Sequence, residues 1–149
     1  TTISAVINGG TMITPHFGVS ISDTETQKKT NIRYTSKKNV ISKETSDVMK
    51  NVLETVVSEG GGKKAAIEGY KVGAKTGTSE KLPRRSGKYI ASCMGFAPAQ
   101  NPKVIALVLI DEPSGIYYGG TIAAPVISKL LDDILPYVDG KEDYGYSGN

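Results

Sequence analysis

The residues Gly73-Ala-Lys-Thr-Gly-Thr-Ser79 lie at the end of an apolar run, Tyr70–Thr78, that we assign to a strand. Two similar runs follow, Tyr89–Phe96 and Val104–Ile110. The links between the runs are short and contain Pro, so we predict three sequential antiparallel strands that form a meander. Because Val104–Ile110 is apolar at every position, we expect this strand to be covered on both faces.

Helical patterns flank the three strands. Apolar residues recur at helical spacing over residues 43–58, after Ser42 as a candidate N-cap, and again over 121–135, where Pro136 is predicted to end the helix. Residues 2–8 resemble the end of a third helix. The predicted fold class is therefore α+β, with an antiparallel sheet flanked by helices.

The segment between the first two helices has a weaker pattern. Phe17–Ser22 alternates apolar and polar residues, which predicts a strand. Asp23–Asn31 is polar and is predicted to be a loop or a hairpin tip, and Ile32–Tyr34 a returning strand. We predict a solvent-exposed excursion without chemistry.

Composition excludes several classes of function. The 149 residues carry a net charge of +3 without a run of five or six like charges, which argues against nucleic-acid binding. Cys93 and His16 are single residues of their types, too few for an internal disulfide or for a metal site without ligands from outside this chain. The longest apolar run has seven residues, Val104–Ile110, whereas a membrane-spanning helix needs about 20.

The segment Lys75-Thr76-Gly77-Thr78 carries residues suited to anion binding. Alternate side chains of a strand share a face, so Thr76 and Thr78 point one way and Lys75 the other. Two hydroxyls beside a lysine can bind a carboxylate, and a free N–H of an edge strand can serve as half of an oxyanion hole. The same four residues can also be the plain end of a strand before a turn. Asp111 and Glu112 are adjacent and should face opposite ways, so we predict no acid–base pair there.

Five blocks of sequence together resemble a known family. In chain order, these blocks are Ile3–Pro15, Gly73–Ser79, Ile90–Pro98, Val104–Pro113 and Tyr117–Pro125. They are similar to the C-terminal part of the transpeptidase domain of class B penicillin-binding proteins, the cell-division and sporulation type. Lys75-Thr76-Gly77 corresponds to one of the three motifs of penicillin-recognising serine enzymes, and neither Ser-x-x-Lys nor Ser-x-Asn precedes it in this chain.

The resemblance implies a partial penicillin-binding transpeptidase fold, like that of the serine β-lactamases, and a role in cross-linking peptidoglycan by serine acyl transfer. Its partners would be the D-Ala-D-Ala end of a stem peptide and β-lactams. Lys75 would supply positive charge, Thr76 and Thr78 would bind the substrate carboxylate, and Gly77 would keep the cleft open. The Thr78 N–H would form half of the oxyanion hole, so Lys75 and Thr78 are the catalytic candidates. No cofactor is implied.

The resemblance also implies how the chain is organised. Residues 1–138 would be the C-terminal portion of the domain, and 139–149 a tail or linker. The chain opens without Met and within a helix, so we expect an internal piece of a longer protein, inert alone and exposing apolar surface that self-associates. Further partners would be the missing N-terminal part and divisome or sporulation proteins. The parent would lie at the extracytoplasmic face of the bacterial membrane, held by an anchor outside this chain.

Two alternatives remain open at this stage. One is a β-lactamase or D,D-carboxypeptidase of the same superfamily. The other is a non-catalytic module that binds wall peptides or a divisome partner. A Ser-x-x-Lys motif upstream in the parent gene would argue against the second.

Overall fold

The computed structural model describes residues 1–139, which form two compact units, Thr1–Met49 and the residues from Lys50 onward. The helices are α1 (Thr2–Ile7), α2 (Lys43–Ser58), α3 (Gly119–Ile122) and α4 (Ala124–Val138). The strands are β1 (Met12–Ile13), β2 (Ser20–Ser22), β3 (Lys29–Asn31), β4 (Ser36–Lys37), β5 (Gly73–Glu80), β6 (Tyr89–Ala97) and β7 (Val104–Asp111). The helix predicted over residues 43–58 is confirmed, and Ser42 caps it, since its Oγ accepts the Thr45 N–H at 3.1 Å.

The three predicted meander strands form one antiparallel sheet in the order β5-β6-β7. The first strand begins at Gly73 rather than at Tyr70, because Tyr70 pairs instead with Ile67 in an isolated bridge around Gly69. Gly69 has a φ of +78°, a conformation that glycine adopts without strain. The sheet therefore starts directly before the Lys75–Thr78 segment.

The core of the second unit lies between this sheet and α4. Ile127, Leu131 and Leu135 recur at helical spacing and are fully buried. Gly95 on β6 makes room for them, because a Cβ built there would lie 2.3 Å from the Ile127 Cγ2 atom. This packing fixes α4 over one face of the sheet.

The prediction that β7 is covered on both faces is wrong for the described residues. Val104, Ala106, Val108 and Ile110 pack against the core. The alternate side chains do not, since Leu107 is 61% and Leu109 63% exposed. The reason is that α4 covers one face only, so an apolar run that is typical of a doubly covered strand shows one open face here.

This open face predicts self-association of the 149-residue polypeptide. Replacing Leu107 and Leu109 together by Glu is expected to raise the monomer fraction, because it removes apolar surface that copies can bury against each other. Leu82→Glu is the control, since Leu82 is 83% exposed but lies in the link between β5 and β6. Sedimentation velocity measures the outcome. A wild-type polypeptide that is monomeric at high concentration would contradict the prediction.

The end of the last helix differs from the prediction. Pro136 does not end α4, which continues to Val138. A proline removes one N–H donor and crowds the carbonyl four residues earlier, but only two helical residues follow Pro136, and the Asp139 N–H still donates to the Leu135 carbonyl at 2.9 Å. Asp139, predicted to begin the tail, instead caps the helix and accepts hydrogen bonds from Tyr70 and Lys103, both at 2.9 Å. The rest of the predicted tail, 140–149, lies outside the described residues.

The first unit contains two short antiparallel sheets of two strands each: β1 pairs with β4, and the β2–β3 hairpin is inserted between them in the chain. The strand predicted over Phe17–Ser22 is only Ser20–Ser22, its partner falls inside the predicted loop, and Ile32–Tyr34 forms no strand. The alternating pattern over Phe17–Ser22 gave a wrong strand length because its apolar side chains are exposed rather than buried. The turn sets the register instead: the Asp23 carboxylate accepts the N–H groups of Glu25 and Thr26.

A cluster of charged side chains lies where β5 ends, β6 begins and β7 ends. Lys81 Nζ lies 3.0 Å from Asp111 and 2.8 Å from Glu112, and Lys88 lies 3.0 Å from Glu112. Asp111 and Glu112 were predicted to face opposite ways. Glu112 follows the strand with a φ of +47°, which turns both carboxylates toward Lys81. Two lysines neutralise the pair, which indicates a structural ion cluster.

The cluster predicts a pH dependence of stability. Hydrogen bonds from Lys81 and Lys88 hold the pKa of Glu112 below its ordinary value, and Glu112 and Asp111 raise the pKa of Lys81. Glu112 therefore stabilises the fold above the pKa it has when unfolded, and this contribution disappears as the pH falls through the lower folded pKa. We expect Glu112→Gln to lower the melting temperature slightly at pH 7, and we expect this difference to disappear as the pH falls through the lowered folded pKa of Glu112. A difference that persists in acid would contradict this.

Candidate functional site

The segment Lys75–Thr78 lies on β5, an outer strand of the sheet among the residues that the structure describes. Thr76 stands opposite Cys93 and Thr78 opposite Ala91, on the face that packs toward α3 and α4. Lys75 and Gly77 point to the other face, as the strand pattern predicts. The edge presents backbone groups that no neighbouring strand of the described chain uses.

Lys75 has an exposed side chain, and its Nζ donates to the Thr76 carbonyl oxygen at 2.5 Å. Within residues 1–139, no carboxylate forms an ion pair with it. Burial raises the pKa of the neighbouring Cys93 thiol, and the positive charge of Lys75 opposes that shift. An exposed cation without a carboxylate partner at a sheet edge is suited to an anionic ligand.

Gly77 lies directly against β6. A Cβ built on Gly77 would come within 2.6 Å of the Ser92 Oγ atom, so any larger residue would displace the Ser92 side chain. Gly77 thus leaves room for the Ser92 hydroxyl beside Lys75 on this face of the sheet.

Thr78 makes a contact that sequence reasoning missed. Its Oγ1 accepts the backbone N–H of Gly119 at 3.1 Å, across 41 residues of sequence. Gly119 is buried and has no space for a side chain: a Cβ there would lie 2.2 Å from the Ser92 carbonyl oxygen and 2.3 Å from that of Gly77. The Gly119-Gly120 pair was the available signal, because glycine allows close approach of two backbones.

Gly119→Ala is expected to lower the free energy of unfolding by about 1–3 kcal/mol, because the added methyl overlaps backbone atoms of β5 and β6 that cannot rotate away. Gly61→Ala is the matched control, since a Cβ on Gly61 meets nothing within 4 Å. Urea unfolding of both variants measures the difference. Equal stability of the two variants would contradict the packing described for Gly119.

Three tyrosines stack at the end of β5. The rings of Tyr89 and Tyr117 lie 4.0 Å apart and nearly parallel, and Tyr118 leans on Tyr117 at 4.7 Å. Tyr89 pairs with Glu80, two residues beyond Thr78, and Tyr118 directly precedes Gly119. The tyrosine stack therefore lies next to Gly119, whose N–H donates to the Thr78 hydroxyl.

A model of the penicillin binding protein transpeptidase domain matches residues 1–132. The chain belongs to this family. The resemblance seen in the sequence is thereby confirmed. Stage V sporulation protein D of Bacillus subtilis is 44% identical over 141 residues, which cover 90% of this chain and 22% of that protein. The peptidoglycan D,D-transpeptidase FtsI of Buchnera aphidicola (subsp. Baizongia pistaciae) is 41% identical over 71% of this chain and 19% of its own length.

Solved structures of this family support the α+β fold. The D,D-transpeptidase domain of a peptidoglycan glycosyltransferase from Eggerthella lenta superimposes with a TM-score of 0.74 at 27% identity, covering 93% of this chain and 31% of that one. The transpeptidase domain of FtsI4 from Legionella pneumophila gives 0.59 at 35% identity, covering 66% and 38%. The predicted fold class is confirmed.

The chain spans about a fifth of the length of the curated relatives it matches. Within residues 1–139, none of the helices has both the length and the apolar character needed to cross a membrane.

Proposed function

We propose that the chain is the C-terminal portion, residues 1–138, of the catalytic domain of a peptidoglycan D,D-transpeptidase. The observation that carries the proposal is the family match over residues 1–132 together with Lys75, Thr76 and Thr78 on an open sheet edge. The reaction is acyl transfer. A serine attacks the carbonyl of the penultimate D-Ala of a stem peptide, the terminal D-Ala leaves, and an amine of a neighbouring strand takes the acyl group.

Each residue of the segment has a proposed role. The Lys75 ammonium provides positive charge for the substrate carboxylate, supported by its exposure and its lack of a carboxylate partner within residues 1–139. The hydroxyls of Thr76 and Thr78 donate hydrogen bonds to that carboxylate. The Thr78 N–H forms half of the oxyanion hole, and Gly77, which has no side chain, keeps the cleft open.

The nucleophile must come from elsewhere in the parent protein. The chain contains no Ser-x-x-Lys, and its one Ser-x-Asn, at residues 147–149, follows the segment instead of preceding it. The first partner of this chain is therefore the N-terminal part of the same domain. Leu107 and Leu109 on the open face of β7 offer apolar surface for it.

We infer the biological role of the parent protein from the names of the relatives. Their names point to sporulation and to peptidoglycan D,D-transpeptidation, which favours a transpeptidase over a β-lactamase. The substrates are stem peptides that end in D-Ala-D-Ala, β-lactams are inhibitors, and further partners belong to the division or sporulation machinery. Such a protein works at the extracytoplasmic face of the bacterial membrane, held there by an anchor outside this chain.

The experiment that tests the proposal uses the complete parent protein. Incubation with benzylpenicillin is expected to add the mass of one penicillin per molecule, as measured by intact mass spectrometry. The matched control is penicillin already hydrolysed by base, which has no strained amide and should add nothing. Release of D-Ala from a pentapeptide, with transfer to an added D-amino acid, then separates transpeptidation from simple hydrolysis. A folded parent that forms no adduct would leave the non-catalytic module as the better account.

A further inference from the structure

The hydrogen bond between Gly119 and Thr78 leaves the Thr78 hydroxyl free to donate. A threonine hydroxyl has one proton to donate and two lone pairs that accept. One lone pair of Thr78 Oγ1 receives the Gly119 N–H at 3.1 Å. The proton is therefore available at a side chain that remains exposed on the strand edge. A carboxylate only accepts hydrogen bonds, so it requires a donor at this position.

We propose that the Gly119 N–H is a positioning group for Thr78: it holds the side chain in the rotamer in which the hydroxyl donates to the carboxylate of the acyl donor. This inference rests on the proposed function. A threonine side chain has three staggered rotamers, and a fixed partner for Oγ1 selects one of them. Accepting a hydrogen bond also polarises the hydroxyl and strengthens its own donation.

Close backbone packing makes Gly119 a rigid donor. There is no space for a Cβ between its Cα and the carbonyl oxygens of Ser92 and Gly77, so β5, β6 and α3 hold one another at this point. The Gly119 carbonyl accepts the Ala123 N–H at 2.9 Å, which fixes the other side of the same residue. The direction of the N–H is thus set before any ligand arrives, which lowers the cost of ordering the site.

The test removes the N–H without adding atoms. In the complete parent protein, Gly119 is replaced by glycolic acid, which changes its amide to an ester, alone and together with Thr78→Val. Thr78→Ser is the conservative control, because serine keeps the hydroxyl. The measured quantity is the second-order rate constant of acylation by benzylpenicillin and by its methyl ester, which lacks the carboxylate. Melting temperatures establish that each variant is folded.

The expected results form a double-mutant cycle. The backbone ester alone should slow acylation by about two- to tenfold, the size of one neutral hydrogen bond. Thr78→Val should slow it at least as much, and the ester should have no further effect in that background. Thr78→Ser, which keeps the hydroxyl, should lose less of the rate than Thr78→Val, and all losses should shrink with the penicillin methyl ester. Losses that multiply in the double variant, or that are equal for both ligands, would overturn the proposal.

Two further outcomes are also decisive. If the wild-type parent forms no adduct at all, the proposed function is contradicted, and this inference is contradicted with it. If the wild type is acylated but the rate losses of the ester and of Thr78→Val are additive in free energy, only this inference is contradicted. If the ester variant does not fold, hydrogen exchange of the Gly119 amide replaces it. The proposal is supported if the Gly119 amide exchanges faster in Thr78→Val but not in Thr78→Ser, and if the acylation rate falls with benzylpenicillin but not with its methyl ester. Equal behaviour of the two variants overturns the proposal.

Discussion

Replacing Lys75 by Ala in the complete parent is expected to slow acylation by benzylpenicillin by about a hundredfold. The ammonium has no carboxylate partner within residues 1–139, so the ligand carboxylate and the developing negative charge would be what it interacts with. A hydrogen bond to a charged group contributes roughly 1.5–3 kcal/mol, which corresponds to about 10- to 150-fold in rate. Stopped-flow acylation with a chromogenic or fluorescent penicillin measures the effect.

A matched variant keeps this prediction specific. Lys71→Ala removes an exposed lysine of the same chain segment that lies before β5, and it should leave the rate within about twofold of the wild type. Lys75→Arg keeps the charge but changes its shape and should recover only part of the rate. If Lys75→Ala and Lys71→Ala acylate at the same speed, Lys75 has no role in ligand binding.

The 149-residue polypeptide alone is expected to form no penicillin adduct under conditions that acylate the parent completely. The reason is the absence of the Ser-x-x-Lys motif from this chain. Acyl transfer without its covalent nucleophile loses several orders of magnitude in rate. Intact mass spectrometry over hours measures this, and circular dichroism must first show that the polypeptide is folded.

The same prediction has a direct counter-result. A stoichiometric adduct on the isolated polypeptide would place a nucleophile inside residues 1–149, and peptide mapping would identify it. Ser92 would then be the first residue to replace, because its hydroxyl lies next to Gly77. That result would contradict the division of the active site between this chain and an upstream part.

The sequence was sufficient to predict the sheet and its order, because short links between apolar runs leave little choice of topology. Helix α2 followed from its apolar stripe and from Ser42. Burial was less predictable. The run Val104–Ile110 is apolar on both sides, yet only one side meets α4, and the number of covering layers is a tertiary property that a strand's own residues do not encode.

The site was predictable in part. The strand pattern places Thr76 and Thr78 on one face and Lys75 on the other, as the structure has them. The contact from Gly119 to Thr78 was not predictable, because it joins positions 41 residues apart through a backbone N–H that carries no residue signature. Helix boundaries at Pro136 and the register of β2 and β3 also depended on local hydrogen bonds rather than on periodicity.

The most direct test of the central claim is a crystal structure of the parent protein acylated by benzylpenicillin. We expect the penicillin carboxylate to lie within hydrogen-bond distance of the Thr76 and Thr78 hydroxyls, with the Lys75 ammonium beside it. We also expect the ester carbonyl oxygen to lie about 2.7–3.1 Å from the backbone nitrogen of Thr78. An acyl group bound away from β5, with Thr78 and Lys75 in contact with solvent only, would contradict the claim.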